Sequence, residues 1–478
     1  MSGDVLVIGG GLAGLLAARR HQAAGRRVVL LEAADEVGGA IAAQDLGGCP
    51  INSGAEAYSI SAGAVDALAA ELGLEEQIVS PREGLGSRLV SAAGVHRAPA
   101  AALLGVPARP LARDVRAVLG WPGALRAALE PLLPARLGSR DGATVAQVIQ
   151  RRLGRRVLER LVAPVIGGVH STDPESTEFA AAAPQLATGL REHGSLVRTV
   201  RHLRGRSTSS AGTRVHSLAP TMAALPAALR EQLLAGGALL RTGTPATSVE
   251  RTEHTWQVRT AGGEHLETAH LVLACPPDTT RDLLAEAAPA ISTAIPQAPS
   301  ARVRLVALLL DAPALDAFPS GTGALVAPGT PGIRAKALTH ASAKWEHIAR
   351  QLHEALPELT APHLVRLSYG RPGEELPDRE GLVDLALADA AAILRTPLTR
   401  KHLHDAAVID WDRAMRQRLP GHRAALTRLT ETLAAEPTLE LVGSWRSGTG
   451  IDAILRAENA PTTSDSAATS PTRKEGNP

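Results

Sequence analysis

The chain is short of most residues that would mark it as something other than a folded globular protein. It holds only two cysteines, Cys49 and Cys275, too few for a disulfide framework or a cysteine-rich metal site. Both stand in apolar runs, where a buried structural thiol is expected. Aromatic residues make up 2% of the chain, which leaves little material for an aromatic membrane belt. Neither sign of charge dominates: the formal net charge is +2, so neither a nucleic-acid surface nor an acidic tail is indicated. No uninterrupted apolar run reaches the roughly 20 residues of a spanning helix, and no metal ligands cluster. The N-terminal apolar stretch follows Asp4 rather than basic residues, so it does not read as a signal peptide. The expectation is a cytoplasmic protein, in contact with the inner face of the membrane at its periphery if at all. The basic residues are nearly all Arg and Ala is abundant, a compositional bias rather than a functional one.

At 478 residues the chain can form two or three domains. Its first forty residues carry the clearest pattern. Val5–Ile8 is a β-branched and apolar run that leads into Gly9-Gly10-Gly11-Leu12-Ala13-Gly14. A helical stretch to Ala24 follows, then Gly25, then a second apolar run, Val28–Leu31, ending on Glu32. Gly9 permits the tight turn, Gly11 keeps side-chain bulk off a bound diphosphate, and Gly14 lets helix and sheet pack closely. The unpaired N–H groups at the helix start suit that anion. Glu32, about 20 residues past the turn, is placed for an adenosine ribose. Strand, turn, helix, strand and acid in that order predict a dinucleotide site.

Beyond it, a turn-rich segment holds Gly54-Ala55-Glu56-Ala57-Tyr58, and Ala62–Leu74 reads as an amphipathic helix. Ser87–Arg97 reads as a hairpin turning at Ala93-Gly94. Pro99–Val200 reads as mostly helical, broken at Pro107, Pro122, Pro134 and Pro164. Arg204–Gly212 reads as a flexible loop. A helix at Met222–Leu234 and strands at Ala238–Arg241, Thr247–Arg251, Thr255–Arg259 and His270–Ala274 return the chain to the dinucleotide sheet. Ala301–Leu310 and Leu364–Ser368 read as strands of a separate sheet, and Gly381–Leu394 as a helix. Asn459–Pro478 is Ser/Thr/Pro-rich and reads as disordered.

After Glu32 comes Ala33-Ala34-Asp35-Glu36-Val37-Gly38-Gly39-Ala40-Ile41, which resembles the second half of the FAD signature of amine oxidases, phytoene desaturases and porphyrinogen oxidases. Those families usually place Arg or Lys after the Gly-Gly pair. Here Ala40 removes that cation and leaves the diphosphate to backbone amides. Five further stretches resemble the flavin-dependent porphyrinogen oxidases specifically: Gly54–Tyr58; Leu103–Pro107 with Trp121–Arg126 and Glu130; Arg151–Gly154 with Pro164–Pro174, where His170 replaces the family's Tyr, and Pro184–Leu186; Ala335-Lys336-Ala337 with Lys344-Trp345; and Trp411 with Leu419–His422. Gly443–Ile451 closes the series. The resemblance covers nearly the whole chain.

It implies an α/β fold: a discontinuous Rossmann-like FAD domain (1–57, 213–285, 406–458), an α+β substrate domain (58–98, 286–405) and a helical domain (99–200) that resembles the family's membrane-facing part, with 459–478 as a tail. It implies FAD held by Gly9, Gly11, Leu12, Ala13, Gly14, Glu32, Ala33, Gly38, Gly39, Ala40, Gly54, Ala55, Val249, Trp411, Gly443, Gly450 and Ile451. The Lys336 and Trp345 region is similar to the Gram-positive type, which oxidises coproporphyrinogen III to coproporphyrin III. Protoporphyrinogen IX stays open as the substrate. Dioxygen would be the co-substrate, and contact with a downstream ferrochelatase stays open. Arg88 aligns with the family's propionate-binding Arg, with Arg97 and Arg126 behind it. Glu56 could orient a pyrrole N–H or cap a turn. Tyr58 could line the slot or fill the core. His170, His422, Trp345 and Trp411 read first as packing residues. A flavin amine oxidase would need an aromatic cage that nine aromatic residues hardly supply, and a relative that keeps the fold without activity is the non-catalytic alternative.

Overall fold

The computed structural model describes residues 3–60, 62–138, 140–205, 214–417, 419–448 and 450–459. The loop expected at Arg204–Gly212 and the tail lie almost wholly outside them, as does the side chain of His170.

The N-terminal pattern folds as its residues dictate. Strand β1 (Gly3–Ile8) buries Val5 to Ile8. Helix α1 (Leu12–Ala23) packs on it through Leu12, Leu15 and Leu16, and β2 (Val28–Leu31) is buried throughout. Side chains inaccessible on both faces mark a central parallel sheet. Its order is Leu239–Arg241, β2, β1, His265–Leu273, with Leu439–Leu441 parallel on the far side of the last. His265–Leu273 is one long strand rather than the shorter His270–Ala274. Its second half joins the parallel core, and its first half pairs antiparallel with Trp256–Thr260 and, through it, Ala246–Arg251.

A second seven-stranded sheet runs in the order Leu403–Arg416, Ser300–Asp311, Pro362–Tyr369, Ala337–His340, Gly323–Val326, Arg88–Ser91, Gly94–Arg97. The expected hairpin thus forms its edge. Helix Leu382–Leu394 covers one face, over Val306, Leu308, Leu310 and Leu367.

The helical unit between Arg113 and Arg204 has its own core of Val118, Leu119, Ile149, Leu161, Leu190 and Val200. At its centre Arg152 and Glu130, both fully buried, pair at 2.7 Å. Glu130 also accepts the N–H groups of Leu196 and Val197 and the Ser195 hydroxyl, so a carboxylate caps the helix Leu196–Arg204. Helix Arg113–Ala128 breaks at Gly120 (φ 67°), not at Pro122. The proline sits in the first turn after the break, where no backbone N–H is required of it. An apolar stripe lies exposed along this part, including Trp121 (59% exposed), Leu125, Leu129 and Leu132 (77%). Among the described residues, no helix is long and apolar enough to cross a membrane.

Candidate functional site

The glycine turn between β1 and α1 forms a cradle. Gly9 has φ 110°, and a Cβ on Gly14 would lie 1.9 Å from the Gly9 carbonyl oxygen, so neither position accepts a side chain without rearrangement. Gly11, the residue before α1, has nothing within 4 Å of where a Cβ would stand. It presents an open approach to the helix N-terminus, where three N–H groups lack helical acceptors. Gly38 donates its N–H to the Gly10 carbonyl at 2.8 Å, bringing the Gly38–Gly39 pair over the same turn. Glu32, at the end of β2, accepts the N–H groups of Gly10 (2.5 Å) and Ala34 (2.8 Å), so it also braces the turn beside which a ribose would sit. Leu12 and Ala13 are buried in the first turn of α1, whereas Ala33 and Ala40 are exposed. The open Gly11 face, the helix N-terminus and the adjacent carboxylate fit a dinucleotide diphosphate and its ribose. The side chain of Val249 is buried with Trp256 and Val258, leaving its backbone as the part that could meet a cofactor. Gly443 (φ 132°) starts a short helix, and Gly450, with open space around it, starts the helix Ile451–Glu458, which packs beside α1.

The segment after this cradle is locked by side chains from far along the chain. Ala55 donates its N–H to the Ala40 carbonyl at 2.8 Å, and a Cβ on Gly54 would lie 2.1 Å from that oxygen. Trp411 packs over Gly54 and donates to the Ser53 carbonyl at 2.8 Å. Arg366 donates to the carbonyls of Asn52 (2.9 Å) and Gly54 (3.0 Å), and to the Glu56 carboxylate at 2.8 Å. The other Glu56 oxygen accepts from Lys344 (3.0 Å) and the Trp345 indole (2.7 Å). Burial alone would raise the Glu56 carboxyl, but Lys344 and Arg366, with the Trp345 donor, outweigh it and hold it at about 2. Both its oxygens accept from protein donors, and so acidic a carboxyl does not take up a proton near neutral pH.

Other expectations fare differently. Tyr58 is buried in the core beside Leu68 and Leu218, its hydroxyl donating to Asp66 at 2.6 Å. Arg126 donates to the carbonyls of Arg151 and Arg152 and so caps a helix. Arg88 and Arg97 face each other across the hairpin, with backbone carbonyls as their partners and no acidic one among the described residues. Burial, then the charge of Arg97, lowers the pKa of Arg88. Arg88 stands in the row of Ala324, Leu338 and Leu367, on the face under helix Leu382–Leu394. Arg366 projects from the opposite face. The structure therefore does not bring Arg88 and Glu56 together.

His422 is buried and bonds the Trp445 carbonyl, and Trp345 is core. Both cysteines are buried free thiols, and burial pushes Cys275 up to about 12. Lys336 is 1% exposed and donates to the Ser171 hydroxyl (2.7 Å) and the Gly370 carbonyl (2.8 Å). Burial, then Arg371, brings its pKa down to about 7.

One group of three described residues has metal-ligand spacing: His21, His270 and Glu440. Arg20 holds one Glu440 oxygen at 2.6 Å, His270 hydrogen-bonds the other at 2.7 Å, and His21 Nε2 lies 3.0 Å from that same oxygen. Arg26 donates to His21 Nδ1 at 3.3 Å, where a metal on Nε2 would require a proton. The group reads as a hydrogen-bonded ion cluster.

Sequence reasoning missed Arg366 and Asn52, whose side-chain oxygen accepts the Met222 N–H. Arg366 is one arginine among many, on a strand with no motif. No local signal could single it out.

Two layered units, with a glycine cradle at the end of a parallel strand, define an FAD-dependent oxidoreductase fold. Comparison with known proteins places it within that class. Residues 12–460 match the model of the flavin containing amine oxidoreductases. The chain is 30% identical, over 96% of both lengths, to coproporphyrinogen III oxidase of Mycobacterium tuberculosis H37Rv. It is 25% identical, over 94% of both, to that of Bacillus subtilis. A crystal structure from Exiguobacterium sp. 255-15, named for protoporphyrinogen oxidase, superposes with TM-score 0.80 at 22% identity, covering 95% of this chain and 96% of that one. The chain belongs to the flavin containing amine oxidoreductase family, within its porphyrinogen oxidase branch, and its cofactor is FAD.

Proposed function

We propose that the protein oxidises coproporphyrinogen III to coproporphyrin III in porphyrin synthesis, with dioxygen as the final acceptor. The observation that carries this reading is the likeness to coproporphyrinogen III oxidases along almost the entire chain. FAD, when bound, supplies the acceptor for a hydride from a bridging carbon of the macrocycle and passes the electrons to dioxygen, giving hydrogen peroxide. The chain's own part is placement. The cradle from Gly9 to Gly14 holds the diphosphate, and the braced segment Asn52–Glu56 borders the flavin. The Arg88–Arg97 pair, without an acidic partner among the described residues, is the candidate receptor for a propionate. Since that pair lies on the sheet face away from Arg366, the Arg88→Ala variant is informative. A raised KM with kcat held would put a propionate there, and unchanged kinetics would assign the pair to the fold. The exposed Trp121, Leu125, Leu129 and Leu132, amid arginines, support peripheral contact with an anionic membrane surface. A transient contact with a downstream ferrochelatase completes the reading.

The decisive experiment mixes FAD-loaded protein anaerobically with coproporphyrinogen III and, separately, protoporphyrinogen IX. Rapid flavin bleaching by the first, followed in air by porphyrin fluorescence and peroxide, is expected. Bleaching by the second alone would move the assignment to protoporphyrinogen IX, a reading favoured by partial likeness to an Arabidopsis protoporphyrinogen oxidase (27% identical over 40% of this chain). Bleaching by neither would sink the porphyrinogen reading.

A further inference from the structure

The segment Asn52–Glu56 belongs to the cofactor side of the molecule, yet what fixes it comes from the second sheet. Arg366, on the interior strand Pro362–Tyr369, spends one guanidinium nitrogen on two carbonyls of this segment and another on Glu56. Lys344, ending the short helix Ala341–Lys344, and Trp345, between it and the helix Glu346–Ala355, complete the shell around the carboxylate. The contacts continue inward. Gly54 touches the Ala40 carbonyl, Ala40 follows Gly39, and a Cβ on Gly39 would stand 3.3 Å from the Cα of Gly11 in the diphosphate cradle. One arginine is thereby linked, through close backbone contacts, to the place where the cofactor lies. The cluster is also unbalanced, since Lys344 and Arg366 are two cations facing a single carboxylate.

We propose that Arg366 is a positioning residue of the flavin site. It pins the Asn52–Glu56 segment against the Gly38–Ala40 turn, and with Lys344 it leaves one excess positive charge, half-buried, beside that segment. The pinning holds the cradle in its FAD-binding shape. The excess charge favours the reduced, more negative flavin, since a cation in a poorly screened interior stabilises developing negative charge nearby. The inference stands on the flavin site alone, so its failure leaves the identity of the substrate untouched.

The test is Arg366→Met in the full-length protein, reading the FAD dissociation constant by flavin fluorescence and the midpoint potential of the bound flavin. FAD binding about tenfold weaker, with a lowered potential, is expected. Arg366→Lys restores the charge without the fork that spans two carbonyls and a carboxylate, so its potential recovers and its affinity stays low. Full recovery of affinity in Arg366→Lys would overturn the pinning. A drop in apoprotein melting temperature with wild-type FAD affinity and potential would overturn the whole proposal by reducing Arg366 to a fold contact. Should Arg366→Met fail to fold, Trp345→Phe removes one donor to Glu56 while keeping a buried ring. Weaker FAD binding with an unchanged apoprotein melt then supports the proposal, and wild-type FAD affinity contradicts it.

Discussion

Replacing Glu56 by Gln removes the one anion that the described residues place in a half-buried cluster with two cations, and the consequences can be worked out with pH. The carboxyl lies at about 2 instead of the ordinary 4.5, a preference for the ionised form worth roughly 3 kcal/mol. The folded-state value is the depressed one. The stabilisation is therefore complete above pH 4.5 and is lost as pH falls from there toward 2. Gln keeps the size and an acceptor for the Trp345 indole but leaves Lys344 and Arg366 facing each other without a counter-charge. Breaking a fully buried pair costs about 3–5 kcal/mol, and the partial exposure of Lys344 and Arg366 sets the expected cost at neutral pH at the lower end, about 3 kcal/mol. Urea denaturation of wild type and Glu56→Gln from pH 7 to the lowest pH at which both stay folded measures the two together. The expected result is a large stability gap at neutral pH that narrows below pH 4.5, because only the wild type loses its anion. Curves that stay parallel through the acid limb would refute the reasoning, as would a variant as stable as wild type at pH 7.

Gly14→Ala would place a methyl group 1.9 Å from the Gly9 carbonyl oxygen. The variant should purify without yellow colour, as read from the ratio of flavin to protein absorbance. Arg152→Met leaves Glu130 as an unpaired buried anion, and a loss of about 3–5 kcal/mol is expected by denaturation. A loss under about 1 kcal/mol would mean that the neighbouring backbone donors satisfy Glu130 alone. Lys336, at about 7 when folded against an ordinary 10.5, binds its proton more weakly in the native state. Stability should therefore rise with pH between those values. Lys336→Met should flatten that rise, and an identical pH dependence in both proteins would exclude the lysine as its source.

What could be read in the sequence is what short-range chemistry fixes. The strand, glycine turn, helix and acid of the first forty residues are local. Their outcome depends on steric freedom at Gly9 and on close packing at Gly14, so the pattern could be recognised without knowing what lies above it. The hairpin Ser87–Arg97 was equally local. The break near Pro122 was legible as punctuation but fell on Gly120, because a proline costs nothing in a first turn while a left-handed residue ends the turn before it. Glu56 shows where such reading stops. Its motif pointed to the flavin, but its environment is set by Lys344, Trp345 and Arg366, some 300 residues later. Whether a carboxylate is a base or a permanent counter-ion depends on those partners and not on its neighbours in sequence. The same holds for Tyr58, whose place was decided by Asp66 and the core around Leu218. Arg126 and Arg88 are alike in sequence, yet one caps a helix and the other has no acidic partner, a difference that only the tertiary contacts create. The resemblance located the Lys344-Trp345 pair without assigning it a task. The structure supplies one: the two residues complete the shell that keeps Glu56 ionised.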